Sequence, residues 1–431
     1  MHRLKTQSRH MVAVAGLLVL AVVSAWSVPT LGQAPAPTGV TVFEGARLIV
    51  GDGRAPIENA MIVVNGNRFV QVGRAADVRV PAGATRVSLA GKTVMPTIID
   101  THNHLSQTRD ALIDDLKRRV YYGVSAAQSL GQDTTDVSFQ VRAETIPGAA
   151  RFFTAGRGIT APEPGRTMAP IWVTTVAEAR KAVQDNAAKK VDIIKIWVDD
   201  RMGTVKKLSP ELYSAVIDEA HKNGLRVIAH IYTLEDHKGV LRAGVDAFAH
   251  GVRDKDIDDE FVAMVKQHPN LVLGPNMPDR GVVANIDWLR ESLPAAEFEM
   301  LQKGNTNRPD AQAFWGIQAR NLAKMNAAGV RIVVGTDGNT PWAPHVEMAD
   351  MVASGMTPAQ VLVAATRNGA AFLKMTDAGT IEANKSADFI VLDANPLDDI
   401  TNTRRISSVY LRGAAVDRAA FRVRQTAQAN R

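Results

Sequence analysis

The 431-residue sequence predicts an α/β fold, a (β/α)8 barrel with a small β-sandwich built from both chain ends. Three observations carry this expectation. Through the middle of the chain, short apolar runs alternate with amphipathic stretches, the pattern of parallel strands and their covering helices. Both ends instead show short alternating strands separated by turns. Eight strand–helix repeats fit between those ends, the number that closes such a barrel.

The first segment stands apart. His2, Arg3, Lys5 and Arg9 precede MVAVAGLLVLAVVSAW, with the small residues Ser24, Ala25 and Ser27 at its end. A basic start, a short apolar run and small residues predict a secretory signal peptide. The run of 16 residues is short for a spanning helix, and an uncleaved anchor is the minority alternative. GQAPAPTG follows as a spacer. Residues 1–34 are therefore read as signal and spacer, cleaved between Ala25 and Ala34. The mature protein is expected to be exported, periplasmic or secreted, with no membrane contact once the signal is removed.

Residues 35–93 read as the N-terminal part of the β-sandwich, with strands in VTVFEGARLIV, AMIVVNGNRFVQVG and TRVSL; VNGNRF is a hairpin signature. The barrel is placed at 94–376. Its expected strands are Val94–Asp100, Val124–Ser129, Arg151–Ala155, Val191–Trp197, Leu225–His230, Ala247–His250, Leu271–Pro275 and Val330–Thr336. Helices are expected at Arg109–Tyr122, Val176–Lys190, Pro210–Asn223, Leu234–Ala243 and Asp258–His268, with glycine stops such as Gly224 after them. Residues 377–431 return to short strands, in GTIEANKSADFIVLD and ISSVYLRGAAV, and complete the sandwich.

Composition narrows the chemistry. Hydrophobic content of 46% and charged content of 22% suit a soluble globular protein. The formal charge of +6 includes Arg3, Lys5 and Arg9; without the leader, 47 basic residues face 44 acidic ones. Arg404, Arg405, Arg412, Arg418, Arg422 and Arg424 crowd the C-terminal end without interleaved aromatic residues. They read as a solvated basic face, not a nucleic-acid platform. The absence of cysteine limits a transition metal to His, carboxylate or modified-lysine ligands, which suits zinc or a similar divalent ion.

Barrel enzymes carry their chemistry at the C-terminal ends of the strands. There the sequence places His102 and His104, Lys195, His230, His250 and Asp337. Singly, each has an ordinary explanation: a hydrogen-bonded histidine, a snorkelling lysine, an aspartate capping the next helix. Their joint placement on separate strands of one mouth is what those explanations leave unaccounted for.

These residues, in IIDTHNHL, IIKIW, IAHIY, FAHGV and GTD, resemble the metal-dependent amidohydrolase superfamily. The long passage from HVEMADMVASG to DFIVLDANPLDDI resembles its imidazolonepropionase-like and Xaa-Pro-dipeptidase-like members. The resemblance covers nearly the whole mature chain. It implies that His102, His104 and Asp337 hold a first metal, that His230 and His250 hold a second, and that Lys195, carboxylated on its amine, bridges two zinc ions. Two departures stand out: Pro96-Thr97 where Pro-Gly is usual, and Gln128 where a charged residue is common.

The expected function is hydrolysis of a C–N bond in a small-molecule substrate, an N-acyl amino acid or dipeptide, by a metal-activated hydroxide. Asp337 is expected to shuttle the proton, Tyr232 to donate to the oxyanion and Arg253 to grip a substrate carboxylate. An esterase, lactonase or carbamate hydrolase on the same centre is the first alternative, and a non-catalytic binding protein the second. The stretch from Asn276 to Asp310 reads as a lid whose Trp288 and Leu289 contact substrate, or else as a homo-oligomer contact.

Overall fold

The computed structural model describes residues 39–165 and 169–422. The leader expected at 1–34 and Arg424 lie outside the described residues. Strands β1 (Val40–Leu48), β2 (Ile57–Asn65) and β3 (Arg68–Arg74) form an antiparallel meander with its second turn at the predicted hairpin. β4 (Thr85–Ser88) and β5 (Thr93–Pro96) pair with β1 in parallel.

The expected strand Val94–Asp100 proves to be two. β5 belongs to the end sheet, and the parallel set begins with β6 (Ile98–Asn103). Pro96 has no N–H with which to continue a ladder, and the Ile98 N–H donates to Gly123 O at 2.9 Å.

β6, β7 (Val124–Ser129) and β8 (Arg151–Thr154) make one parallel ladder. β9 (Ile159–Thr160), β10 (Ile171–Trp172), β11 (Ile194–Val198), β12 (Val227–Ile231), β13 (Ala247–Phe248), β14 (Val272–Leu273) and β15 (Arg331–Ile332) make a second, in the order β10-β9-β11-β12-β13-β14-β15. The result is a TIM-barrel-like α/β arrangement in two ladders. Individual backbone bonds bridge them. Thr101 N–H donates to Val334 O at 2.9 Å, and the N–H groups of Thr336 and Asp337 both donate to His102 O, at 3.0 and 2.9 Å. On the other side, Asp192 N–H donates to Thr154 O at 2.9 Å.

The predicted helices form with identifiable caps. Thr175 caps Val176–Ala188 in a capping box with Glu178, Ser209 caps Pro210–Lys222, and Thr233 caps Leu234–Arg242. Each cap contributes about 0.5–2 kcal/mol. The apolar faces of these helices, including Val183, Val216, Ala220 and Leu241, pack against strand residues such as Ile194, Ile196, Val227 and Ala229. The glycine stop at Gly224 adopts φ +68°, a conformation that glycine takes without strain. Ile99, Ala126, Ala155, Ile193, Ile228, Ala247, Val272 and Val333 form a separate buried cluster along the parallel strands. The interior is packed with side chains below the strand ends.

β16 (Phe389–Leu392) pairs antiparallel with β5, followed by β17 (Ile406–Leu411) and β18 (Ala414–Ala415). The two chain ends thus join in one hydrogen-bonded sheet, β18-β17-β16-β5-β1-β2-β3 with β4 on β1. The expected end domain is thus a sheet domain in which β5 lies between β1 and β16. Phe43, Phe69, Phe389 and Tyr410 fill one face of it.

Two further expectations are corrected by packing. Trp288 and Leu289 join Tyr121, Tyr122, Phe298, Trp342 and Phe421 in an aromatic cluster, with Trp288 edge-on to Tyr122 at 6.2 Å. They anchor the 276–310 segment against the C-terminal end of the chain. Arg404 and Arg418 are not a solvated face: their guanidinium groups lie 5.0 Å over the Trp288 ring and 4.4 Å over the Tyr121 ring. Long cationic side chains gain more on an aromatic face than composition alone reveals. Among the described residues, no helix is long and apolar enough to cross a membrane.

Candidate metal centre

The period of a strand puts Asp100 and His102 on one face of β6, and Lys195 and Trp197 on one face of β11. His230 lies within β12, whereas His250 and Asp337 follow β13 and β15. These separate ends converge. Asp337 Oδ1 is 3.1 Å from His102 Nε2 and 2.9 Å from His104 Nε2, and Oδ2 is 3.6 Å from His250 Nε2. The His250 ring lies 5.5 Å from that of His102 and 4.5 Å from that of His230. One ligand atom each from His102, His250 and Asp337 fall within 4.8 Å of one another.

Close backbone approach makes this convergence feasible. A Cβ on Gly335 would sit 2.8 Å from His102 Cβ and 2.7 Å from Asn276 Nδ2, so no larger residue fits between the first and last parallel strands. Asp337 itself adopts φ +52°. It does not cap a helix: the next one, Ala343–Ala353, starts after Trp342, which makes no side-chain cap.

The electrostatics suit a cation. Burial holds His102 down to about 4 and His230 down to about 3, with Lys195 adding to both shifts, so these imidazoles are neutral at pH 7. Burial alone would raise Asp337, but His102, His104 and His250 outweigh it and hold the carboxyl well below the usual carboxylate range. Lys195 is wholly buried, and burial pushes its amine down to about 7 against the opposing charge of Asp337. Its Nζ has no hydrogen-bond partner among the described residues and lies 5.3 Å from the Trp197 ring centre. His102 Nε2, His104 Nδ1 and His250 Nε2 are likewise buried without a hydrogen bond. Native interiors rarely leave so many polar atoms unpaired. Neutral imidazoles, an ionised carboxylate and a buried amine that loses its proton readily are a donor set that divalent metals accept.

His102, His104, His230, His250 and Asp337 therefore stand together, and Lys195 is near enough for its charge to act on His102 and His230. The two predicted substrate residues are beside them, already engaged. Tyr232 stacks on Phe314 at 6.4 Å. Arg253 Nη2 lies 2.7 Å from His250 Nδ1, and its Nε donates to Gln318 Oε1 at 3.3 Å.

Several supporting residues escaped the sequence reading. Asn276, the first residue beyond Gly274-Pro275 after β14, accepts a hydrogen bond from His102 Nδ1 at 2.8 Å, which leaves Nε2 with its lone pair. Asp100 accepts from Thr336 Oγ1 at 2.8 Å. Arg119, fully buried, donates to Asn103 Oδ1 at 2.7 Å and to Asn339 Oδ1 at 3.0 Å. Asp199 pairs with His230 Nε2 at 2.9 Å. A polar residue at a strand end was the available signal for Asn276 and Asp199.

Comparison with known proteins bears on the family and the fold. The amidohydrolase family model matches residues 93–416. Imidazolonepropionase of Shouchella clausii is 24% identical over 369 residues, spanning 78% of this chain and 80% of that protein. Ochratoxinase of Aspergillus niger is 25% identical over 414 residues, spanning 84% and 82%. A solved Xaa-Pro dipeptidase with methionine bound in its active site superimposes with a TM-score of 0.70 at 21% identity. That match covers 87% of this chain and 99% of that one, and shows a shared fold. Matched across its parallel strands and both joining strands of its end sheet, the chain belongs to the amidohydrolase family and is an enzyme that hydrolyses C–N bonds.

Proposed function

We propose that the protein is a two-metal amidase or dipeptidase acting on N-acyl amino acids or dipeptides, with the two ladders as parts of a closed (β/α)8 barrel. In this reading His102, His104 and Asp337 hold one divalent ion, zinc in the first instance, His230 and His250 hold another, and a carboxylated Lys195 bridges them. The observation that carries it is the Lys195 amine, buried and unpaired beside neutral imidazoles. Addition of carbon dioxide to the neutral amine, with release of one N–H proton, would give a carbamate whose anionic oxygens are the ligands, which explains a lysine where a cation would repel metal.

Divalent ions held by these residues would supply Lewis-acid activation of a water and of the scissile carbonyl. The remaining steps fall to the chain. Asp337 accepts the proton of the attacking water and returns it to the departing nitrogen. The Tyr232 hydroxyl donates a hydrogen bond to the carbonyl oxygen. Arg253 has no carboxylate within ion-pairing distance among the described residues and takes the substrate carboxylate.

A hydrolysis panel on metal-loaded protein tests this reading, pairing each N-acyl amino acid and dipeptide with its ester and with the amide lacking the carboxylate. Amides bearing the carboxylate should be turned over, with kcat/KM about tenfold or more above the analogues lacking it, as a hydrogen-bonded charge contributes roughly 1.5–3 kcal/mol. Hydrolysis confined to esters or lactones would sink the amidase assignment.

A further inference from the structure

The loop that follows β11 holds a buried carboxylate against a histidine of the centre. Asp199 is 8% exposed. Its Oδ2 faces His230 Nε2 at 2.9 Å and Arg201 Nη1 at 2.6 Å, while its Oδ1 accepts the Arg201 backbone N–H at 2.8 Å. Arg201 also reaches Glu163 Oε1 at 3.4 Å. A carboxylate gripped at both oxygens by one arginine stays ionised and can only accept hydrogen bonds. His230 Nε2 also has Arg201 Nη1 at 3.3 Å, but the Asp199 carboxylate at 2.9 Å is the nearer partner, and an Nε2–H donated to it leaves the lone pair on Nδ1. That ring meets His250 edge to face, with centroids 4.5 Å apart.

The backbone here is unusual. Arg201, Met202 and Gly203 take φ of +55°, +58° and +80° in succession. Two of them are non-glycine residues held in the left-handed region, which L side chains rarely adopt. The conformation is what turns the Arg201 N–H and guanidinium back onto Asp199. A relaxed loop would lose that grip.

We propose that Asp199, clamped by Arg201, is a positioning residue that fixes the ring and the tautomer of His230 so that Nδ1 faces the centre. The inference rests on the proposed function for what Nδ1 faces, and on the geometry alone for the ring. Nothing in the family resemblance assigned either residue. A carboxylate behind a metal-binding imidazole changes metal affinity or activity by about 10–100-fold.

The test uses the full chain labelled with 15N-histidine. In metal-free protein, His230 should give a downfield, slowly exchanging Nε2–H signal, assigned by its absence from His230→Asn. Asp199→Ala should lose that signal, whereas Asp199→Asn, whose Oδ1 can still accept, should keep it at a shifted position. After metal loading, Asp199→Ala should release metal to a chelator about 10–100-fold faster than wild type, with Asp199→Asn in between. A merely structural role would move the melting temperature without this graded rescue. A folded Asp199→Ala protein with an unchanged Nε2–H signal and wild-type metal retention overturns the proposal. Where Asp199→Ala does not fold, Arg201→Gln carries the test, and an unmoved signal overturns it equally. Wild-type protein that binds no metal would defeat the proposed function, while the Nε2–H signal would still decide whether Asp199 holds the ring.

Discussion

Asp337→Asn is expected to fold, to retain metal at the His230–His250 side and to lose turnover by roughly two or more orders of magnitude, the range for removing a positioned acid–base group. The backbone favours this variant as a clean probe. Asp337 adopts φ +52°, a conformation that asparagine tolerates better than most residues, so strain is not a confounder. Asn retains an oxygen for His102 or His104 but has almost no basicity. The loss should therefore appear in kcat, with KM little changed. Since the following helix starts at Ala343, no cap is removed and stability should change little. Kinetics, metal content and melting temperature on one preparation check this. A metal-replete variant with near-normal kcat would remove Asp337 from the chemistry.

Lys195→Met is expected to separate stability from function in the opposite direction. Lys195 is wholly buried and burial pushes its amine down to about 7. A lysine whose pKa is depressed by folding weakens the fold wherever the unfolded chain would be protonated, from acid pH up towards the ordinary lysine value. Methionine has a similar length and no charge to desolvate. The metal-free variant should therefore melt at or above the wild-type temperature, while metal content falls from about two ions per chain to one or fewer. Turnover should drop by about two orders of magnitude or more, with partial recovery on adding a short carboxylic acid that can occupy the bridging place. Wild-type metal content in Lys195→Met would rule out the bridge.

The sequence was most legible where one short run carried its own evidence. His230 and His250 each close a short apolar run of the sequence bounded by a helix cap or a glycine stop, so their place near the strand ends followed from local pattern. The two-residue strands β9 and β10 are too short to have any period. Asn276 and His102 are 174 residues apart, and no local pattern announces their hydrogen bond. Asp199 in KIWVDD looks like the first polar residue of a loop, and its partner His230 lies 31 residues further on. Trp288 suggested a substrate contact because its environment depends on Phe421 and Arg404, which only the folded chain brings near.

The place where the two parallel ladders meet has a consequence for durability. His102 and His104 come from the three-stranded ladder, whereas Lys195, His230, His250 and Asp337 come from the seven-stranded one. At that edge, among the described residues, the ladders share backbone bonds from Thr101, Thr336 and Asp337. Any ion bound between His102 and Asp337 would rivet the seam, and a ligand that binds only the folded chain stabilises it by mass action. Deuterium uptake at the amides of Thr101, Thr336 and Asp337 should slow on metal loading; identical uptake in both forms would show that the seam needs no rivet. A chain without a single cysteine would then take its resistance to wear from the same ions that its chemistry requires.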